Sequence, residues 1–406
     1  MNEPRPPQGE RLWNERFIQL IVIEVTFQMG AYLTNPVVSG FAVSLGASVA
    51  VGGVLAGLVA LMALVARPIT GWLADKVDKK TFLLVSAVFF GAACFGCAFS
   101  STVAPVAAWR VVQGFAFAFK SAVLISLVSL SVPQRFIGRA VGWASLAQTA
   151  SMALGPLLGS VLIGRWGYAT SFLVAGVLLA VGLVVICAFK EPQGAAANAQ
   201  ATADAPASVQ AASRLGWIST FVYLPNLRVA LIVCLSIIPH GVAVTLLLTV
   251  GEMRGIEGVS LYFAVYALVA LVSKPTAGRL TDQRGTRFVL VPSLLIELAA
   301  TVALALMGSA LAVVLAGALM GAGQGSALSA LQAESVRGVA PHELGRASNT
   351  FYIGTDIGMG VGPMAAGVVL QQFGAAAMFL ACSALVALAM VVLLAGGTRR
   401  EGEGVS

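Results

Sequence analysis

The sequence predicts an all-α membrane protein of twelve transmembrane helices, arranged as two pseudo-symmetric six-helix bundles. Three observations predict it: a shortage of charge, a series of long apolar runs, and an internal repeat at one constant offset. Of the 406 residues only 10% are charged and 58% are hydrophobic, with a mean hydropathy of +0.92. A soluble domain carries about 25% charged residues, so most of this surface faces something other than water.

Twelve apolar runs each reach about 20 residues, enough for a helix to cross a hydrocarbon core of ~30 Å. They cover 17–38, 47–71, 81–99, 104–131, 140–163, 168–189, 229–250, 259–279, 288–308, 310–333, 346–370 and 375–395. None alternates apolar and polar residues as barrel strands do, so they read as helices. The first run follows a polar segment, is too long for the core of a signal peptide and has no A-x-A-like site after it. It is read as a retained span.

Charge placement sets orientation. With the N-terminus in the cytoplasm, only Arg165 and Arg254 of the 24 Lys and Arg fall outside, while Arg110 and Lys120 lie within the membrane. This is the positive-inside pattern. It puts both termini in the cytoplasm of a prokaryotic cytoplasmic (inner) membrane, and makes anionic lipid the partner of the basic loops. The net charge of +7 is thus an orientation signal, and no nucleic-acid partner is expected. All five cysteines fall inside predicted helices. Cys94 and Cys97 spell C-x-x-C, but a thiol buried in "FGAACFGCAFS" holds little thiolate, so they read as small packing residues.

The repeat appears when the chain is slid against itself by 207 residues. Pro68, Gly71 and Asp75 fall on Pro275, Gly278 and Asp282, and Gly138-Arg139-Ala140 fall on Gly345-Arg346-Ala347. Gly155-Pro156 fall on Gly362-Pro363, Gly167 on Gly374 and Phe172 on Phe379. A six-helix unit has an even number of spans, so both copies enter from the same side and form a parallel repeat. The predicted organisation is an N-terminal bundle at 1–190, a cytoplasmic linker at 191–227 and a C-terminal bundle at 228–406. The linker's Ala-rich stretch, broken by Pro, Gly, Asn and Asp, has no apolar periodicity. Trp217 and Tyr223 after it are placed at headgroup level.

Three short stretches carry a family resemblance. "GWLADKVDKKTFLL" is similar to the signature between the second and third helices of the major facilitator superfamily (MFS). "WRVVQGFAF" resembles its R-x-x-Q-G signature on the fourth helix, and "ASMALGPLLGS" its fifth-helix G-P signature. The resemblance covers all twelve helices, the linker and the repeat, and implies a transporter that works by alternating access. It implies a gating hinge at Gly71, Asp75 and Lys79, repeated at Gly278, Asp282 and Arg287. Gly71 lets a helix end approach its neighbour, and Asp75 can neutralise the positive end of a helix. That neighbour is expected to be the eleventh helix, with Lys79 or Lys80 bridging, and Asp282 is expected to latch onto the fifth. Asp78 stands where the family has Gly, whereas the second copy keeps Gly285. Gly155, Pro156 and Gly159, echoed by Gly362 and Pro363, form a helix-packing motif.

Charges inside the membrane carry the functional information, because each costs at least ~2.5 kcal/mol without a partner or task. At 1.5 Å per residue Glu24 lies roughly 10 Å along the first helix, and Lys120 roughly 24 Å down the descending fourth, at nearly the same depth. The resemblance places the first, fourth, seventh and tenth helices around a central cavity, which makes Glu24 and Lys120 a facing pair. Gln28, Tyr32 and Asn35 extend the face of Glu24 at helical spacing. Arg110 and Gln113 occupy the R-x-x-Q-G positions, whose Arg the family associates with proton coupling. Gln324 joins them from the tenth helix, and Asn349, Tyr352 and Asp356 form an i, i+3, i+7 stripe on the eleventh. His240 reads as a satisfied side chain near the Pro239 kink, and Glu297 as peripheral. The competing reading of the charged set is an ion-pair network that only fixes helix packing.

Enzyme chemistry finds no support. "GFAFAFKS" misses a phosphate-cradling loop because Phe119 replaces its second Gly, and "GAGQGS" reads as a small-residue face. The expectation is a proton-coupled secondary transporter of a small organic solute, with no cofactor, no metal and a monomeric state. Export is favoured on the fifth-helix motif, and uptake by symport is the alternative. A non-transporting sensor would not need opposite charges at matched depth.

Overall fold

The computed structural model describes residues 12–74, 78–133, 136–190, 222–337, 339 and 343–395. All regular structure among them is helical. The first half contains α1 (Glu15–Thr34), the short α2 (Val38–Ser44), α3 (Val49–Ala74), α4 (Lys79–Ala98), α5 (Val103–Leu130), α6 (Ile137–Trp166) and α7 (Tyr168–Ala188). The second contains α8 (Leu227–Arg254), α9 (Leu261–Arg284), α10 (Thr286–Ala305) and α11 (Ala310–Val336). The last helix, Leu344–Ala395, is interrupted at Gly374 (φ 80°, ψ 174°), giving α12 (344–373) and α13 (375–395). Ten described segments are long and apolar enough to cross a membrane. The last of them holds two passes, and the 28-residue α5 completes twelve. The predicted fold class is the one observed.

The repeat is visible in backbone geometry. Gly167 between α6 and α7 has φ 84° and ψ 173°, nearly the conformation of Gly374 between α12 and α13. That region is open essentially only to glycine. Gly374→Ala is therefore expected to cost about 1–3 kcal/mol, read as a lowered melting temperature of the purified protein. Helix crossings repeat as well. A methyl group on Gly114 would meet the Val59 carbonyl at 2.6 Å, and one on Gly321 the Tyr266 carbonyl at 2.5 Å, which is the same contact one repeat later. The copies differ where the sequence differs. Asp78 caps α4 by accepting from the Thr81 amide at 3.0 Å, while Gly285 turns into α10 with φ 83°.

The halves meet most closely at the end of the bundle remote from the chain termini. There Gly53 and Gly57 of α3 pack on the backbone of α12 at Pro363, Gly367 and Gly360. Glycine removes the side chains that would hold two helices apart. The Ala50 amide donates to Gln371 at 3.2 Å, and the Tyr168 hydroxyl of α7 donates to Glu252 of α8 at 2.8 Å. Of the predicted linker, the stretch through residue 221, including Trp217, lies outside the described residues. The Tyr223 amide donates to Thr350 at 2.7 Å, and the one-turn helix Leu224–Asn226 leads into α8.

Candidate functional site

Glu24 of α1 and Lys120 of α5 face each other inside the first half. The Lys120 ammonium lies 2.5 Å from Glu24 Oε2, with side-chain exposures of 4% and 7%. Gln28, one turn along α1, donates to Glu24 Oε1 at 2.7 Å. Phe117 presents its ring 5.5 Å from the ammonium. Two opposite charges so withdrawn from water gain Coulomb energy only against a large desolvation cost, so they hold each other in place as a neutral unit. Tyr32 lies two turns from Glu24 on α1 and is part-buried.

Arg110 stands elsewhere in the half. It is fully buried, and its guanidinium donates to the carbonyls of Leu55 (3.0 Å) and Ala56 (3.2 Å), to Asn35 Oδ1 (2.9 Å) and to Gln113 Oε1 (2.9 Å). Gln113 in turn donates to Cys94 Sγ at 3.3 Å. Arg110 thus ties α1, α3 and α5 together, and through Gln113 reaches α4. Among the described residues it contacts no carboxylate and is not joined to the Glu24–Lys120 pair.

In the second half the Tyr266 hydroxyl bonds Gln324 Oε1. Tyr266 also stacks on His240, with ring centroids 4.7 Å apart, and on Tyr262 at 6.3 Å. Two expectations are corrected here. The His240 Nδ1 has no hydrogen-bond partner, so that side chain is not satisfied. Glu297 is not peripheral; it is 0% exposed, because Gly323 of α11 lets α11 close onto its backbone. "GAGQGS" packs helices together, as read: Gly321 meets Tyr266, Gly323 meets Glu297 and Gly325 meets Ser273.

The α12 stripe meets a residue the sequence reading did not assign. Arg67 of α3 forms an ion pair with Asp356 and sits 5.4 Å over the ring of Tyr352. Tyr352 also accepts from Gln332 at 3.4 Å, and both line a cavity of about 360 Å³ with Ser329, Ser348 and Phe351. Asn349 is part-buried one turn before Tyr352. A signal for Arg67 was present: Lys274 holds the same place in the second repeat. Arg67→Ala is expected to shift the balance away from this arrangement by on the order of 1 kcal/mol, about fivefold in the equilibrium. The check is maleimide labelling of a cysteine introduced at Gln332, which would slow accordingly.

The hinge differs from expectation. Asp75 lies outside the described residues, Gly71 ends within the last turn of α3 and Lys79 opens α4. Lys80 does not bridge to α12; it donates to the Cys187 carbonyl at the end of α7, at 2.9 Å. Its repeat partner Arg287 donates to the Leu393 and Leu394 carbonyls at the end of α13, both at 3.1 Å. Each basic residue caps a helix C-terminus of its own half, where orphan carbonyls and the negative dipole end attract it. Asp282 does not reach α6; it faces Arg337 at the end of α11, 3.5 Å away and largely exposed. Gly278 is near Ser329, 3.7 Å from where a Cβ would sit. In the packing motif Gly155 abuts Tyr32, Gly159 lies against Val37, and Gly362 abuts Ile238, with Pro156 and Pro363 inside their helices.

A family profile described as Major Facilitator Superfamily matches residues 20–262 and 229–405. The chain belongs to that superfamily, and is a multi-pass membrane transporter rather than an enzyme. It is 25% identical over 343 residues to a multidrug resistance protein, MdtG, of Escherichia coli (strain K12 / DH10B), covering 82% of this chain and 81% of the relative. Its fold resembles a bacterial homolog of the human lysosomal transporter Spinster, in an inward-facing and occupied conformation. That likeness has a TM-score of 0.76 and 16% identity over 93% of this chain and 95% of the other. The nucleoside transporter NupG is similar too, with a TM-score of 0.72 and 14% identity over 94% and 98%.

Proposed function

We propose that this chain is a proton-coupled secondary transporter that exports a small organic solute across a prokaryotic inner membrane, with both termini cytoplasmic. The observation that carries the reading is the Glu24–Lys120 pair, 2.5 Å apart and nearly fully buried. A proton arriving on Glu24 cancels its attraction for Lys120, and a charged or zwitterionic solute entering between them does the same electrostatically. Either event frees a side chain that the fold otherwise holds in place. The resemblance to MdtG, named for multidrug resistance, supports export. The contacts of Gly53 and Gly57 of α3 with α12 and of Tyr168 with Glu252, remote from the termini, support an inward-facing state. Small-molecule substrate and lipid are the partners, and the unit of transport is a monomer.

Uptake by symport is the second reading. One observation favours keeping it: Gly155 and Gly362 pack their helices in both halves, so the Gly-Pro element carries no direction. A single experiment addresses both. Protein reconstituted in vesicles containing a pH-sensitive dye is offered a panel of organic cations and zwitterions across a pH gradient. Solute-driven proton flux is expected from wild type and is expected to vanish in Glu24→Gln. Opposed solute and proton movement means export, and parallel movement means symport. Wild-type transport by Glu24→Gln overturns the coupling.

A further inference from the structure

Glu297 is a buried carboxyl for which the proposed mechanism has no use. It lies at the middle of α10 with 0% exposure, and neither of its oxygens has a hydrogen-bond partner among the described residues. α11 closes directly onto it: a Cβ on Gly323 would lie 2.6 Å from the Glu297 amide nitrogen. The titratable groups facing it are Tyr262 and Tyr266 of α9 and Cys382 of α13, while α11 presents Gly323. No Lys, Arg or His among the described residues pairs with it. An isolated carboxylate in such surroundings costs far more than the fold can supply, and the group neutralises instead.

The repeat shows that packing does not require an acid there. One repeat earlier the same place is held by Phe90, 1% exposed and packed edge-on against Phe27 at 5.9 Å. Its neighbours match: Ser86 and Ala116 stand where the second half has Ser293 and Gly323. The polar rings of α8 and α9 are likewise specific to this half. Tyr262, Tyr266 and His240 stand at positions held by Leu55, Val59 and Leu33 in the other. Tyr262 and His240 each keep an unpartnered polar atom, and both stack on Tyr266. Tyr262, Tyr266 and His240 thus form one stacked set of polar rings in this half.

We propose that Glu297 is a proton-binding site of the second half, separate from the Glu24–Lys120 pair. It holds a proton as the neutral acid in this conformation and yields it to water when α10 parts from α9 and α11. The exchanged species is the proton alone; the carboxylate remains and no electrons move.

Infrared difference spectroscopy of the full-length protein in lipid vesicles, in H₂O and then D₂O at neutral pH, tests this. A protonated carboxyl C=O band is expected in wild type and in Glu24→Gln, which removes the other buried acid of the candidate site. Glu297→Gln is expected to lose the band entirely. Should Glu297→Gln fail to fold, Glu297→Phe installs the residue the first repeat already accommodates. The Glu297 band is expected to shift in D₂O as the protein samples its other conformations. A spectrum unchanged by Glu297→Gln overturns the proposal, and so does a Glu297 band that never shifts in D₂O, which marks a sealed structural acid. Failure of the Glu24 reading is separate: it appears as transport surviving Glu24→Gln, whatever this band does.

Discussion

The triple variant Glu24→Leu, Gln28→Leu, Lys120→Ala is expected to fold at least as stably as wild type and to move no solute against a gradient. The substitutions are those the protein already makes, because one repeat later these positions hold Leu231, Leu235 and Ala327. A buried ion pair replaced by apolar residues is often neutral, or stabilising by about 1–4 kcal/mol, because desolvation of two charges no longer opposes folding. Gln28 must change too, since its amide bonds Glu24 and would otherwise be orphaned. Lys120→Ala alone behaves in the opposite way. It leaves Glu24 buried beside Gln28 with no cation, at a cost of about 3–5 kcal/mol. Melting temperatures of the three proteins, set beside solute flux in vesicles, separate the two readings of the pair. A network that only fixes packing predicts that the triple variant keeps transport; a coupling pair predicts a stable, inert protein.

Much of this architecture was legible from local properties of the chain. Span length and apolar runs report the bilayer directly, since each helix satisfies its own backbone whatever its neighbours do. The 207-residue offset was equally legible, and Gly167 and Gly374 repeat it as nearly equal dihedral angles. Glu24 and Lys120 pair by matched depth, because 1.5 Å per residue converts sequence position into height, and by the family resemblance, which puts the first and fourth helices around one cavity.

What depth cannot give is the rotation of one helix against the next. Glu297 was misplaced for that reason: its burial depends on Gly323 of α11, and an apolar run has no marked outer face. The hinge charges failed differently. A basic side chain at a helix start has several carbonyl-rich helix ends within reach, and the nearest belong to α7 and α13 of its own half. His240 was read as satisfied because buried imidazoles usually are. Its ring stacks on Tyr266, and Nδ1 finds no hydrogen-bond partner among the described residues.

Arg110→Lys is expected to destabilise the first half while leaving the number of protons moved per solute unchanged in the protein that survives. The resemblance associates this arginine with proton coupling, but its surroundings are those of a clamp. Four hydrogen bonds spread from one planar fork to Leu55, Ala56, Asn35 and Gln113. A lysine keeps the charge but presents a single nitrogen at the end of a flexible stem, and cannot span those acceptors. Each bond to a charged group is worth about 1.5–3 kcal/mol, so losing two of the four costs on the order of 3 kcal/mol or more. Arg110→Ala adds a cavity at a fully buried site and should be worse still. The repeat gives an independent reason to expect a mechanical role. The matching position is Gly317, where the Tyr262 ring and backbone press in against α11 and close the crossing that Arg110 closes with hydrogen bonds. Both devices bind the second helix of a half to its fourth, and the rocking of a half needs that joint rigid. The melting temperature of Arg110→Lys, with its proton-to-solute ratio in vesicles, tests the assignment. A ratio that changes while stability holds would return Arg110 to the coupling machinery.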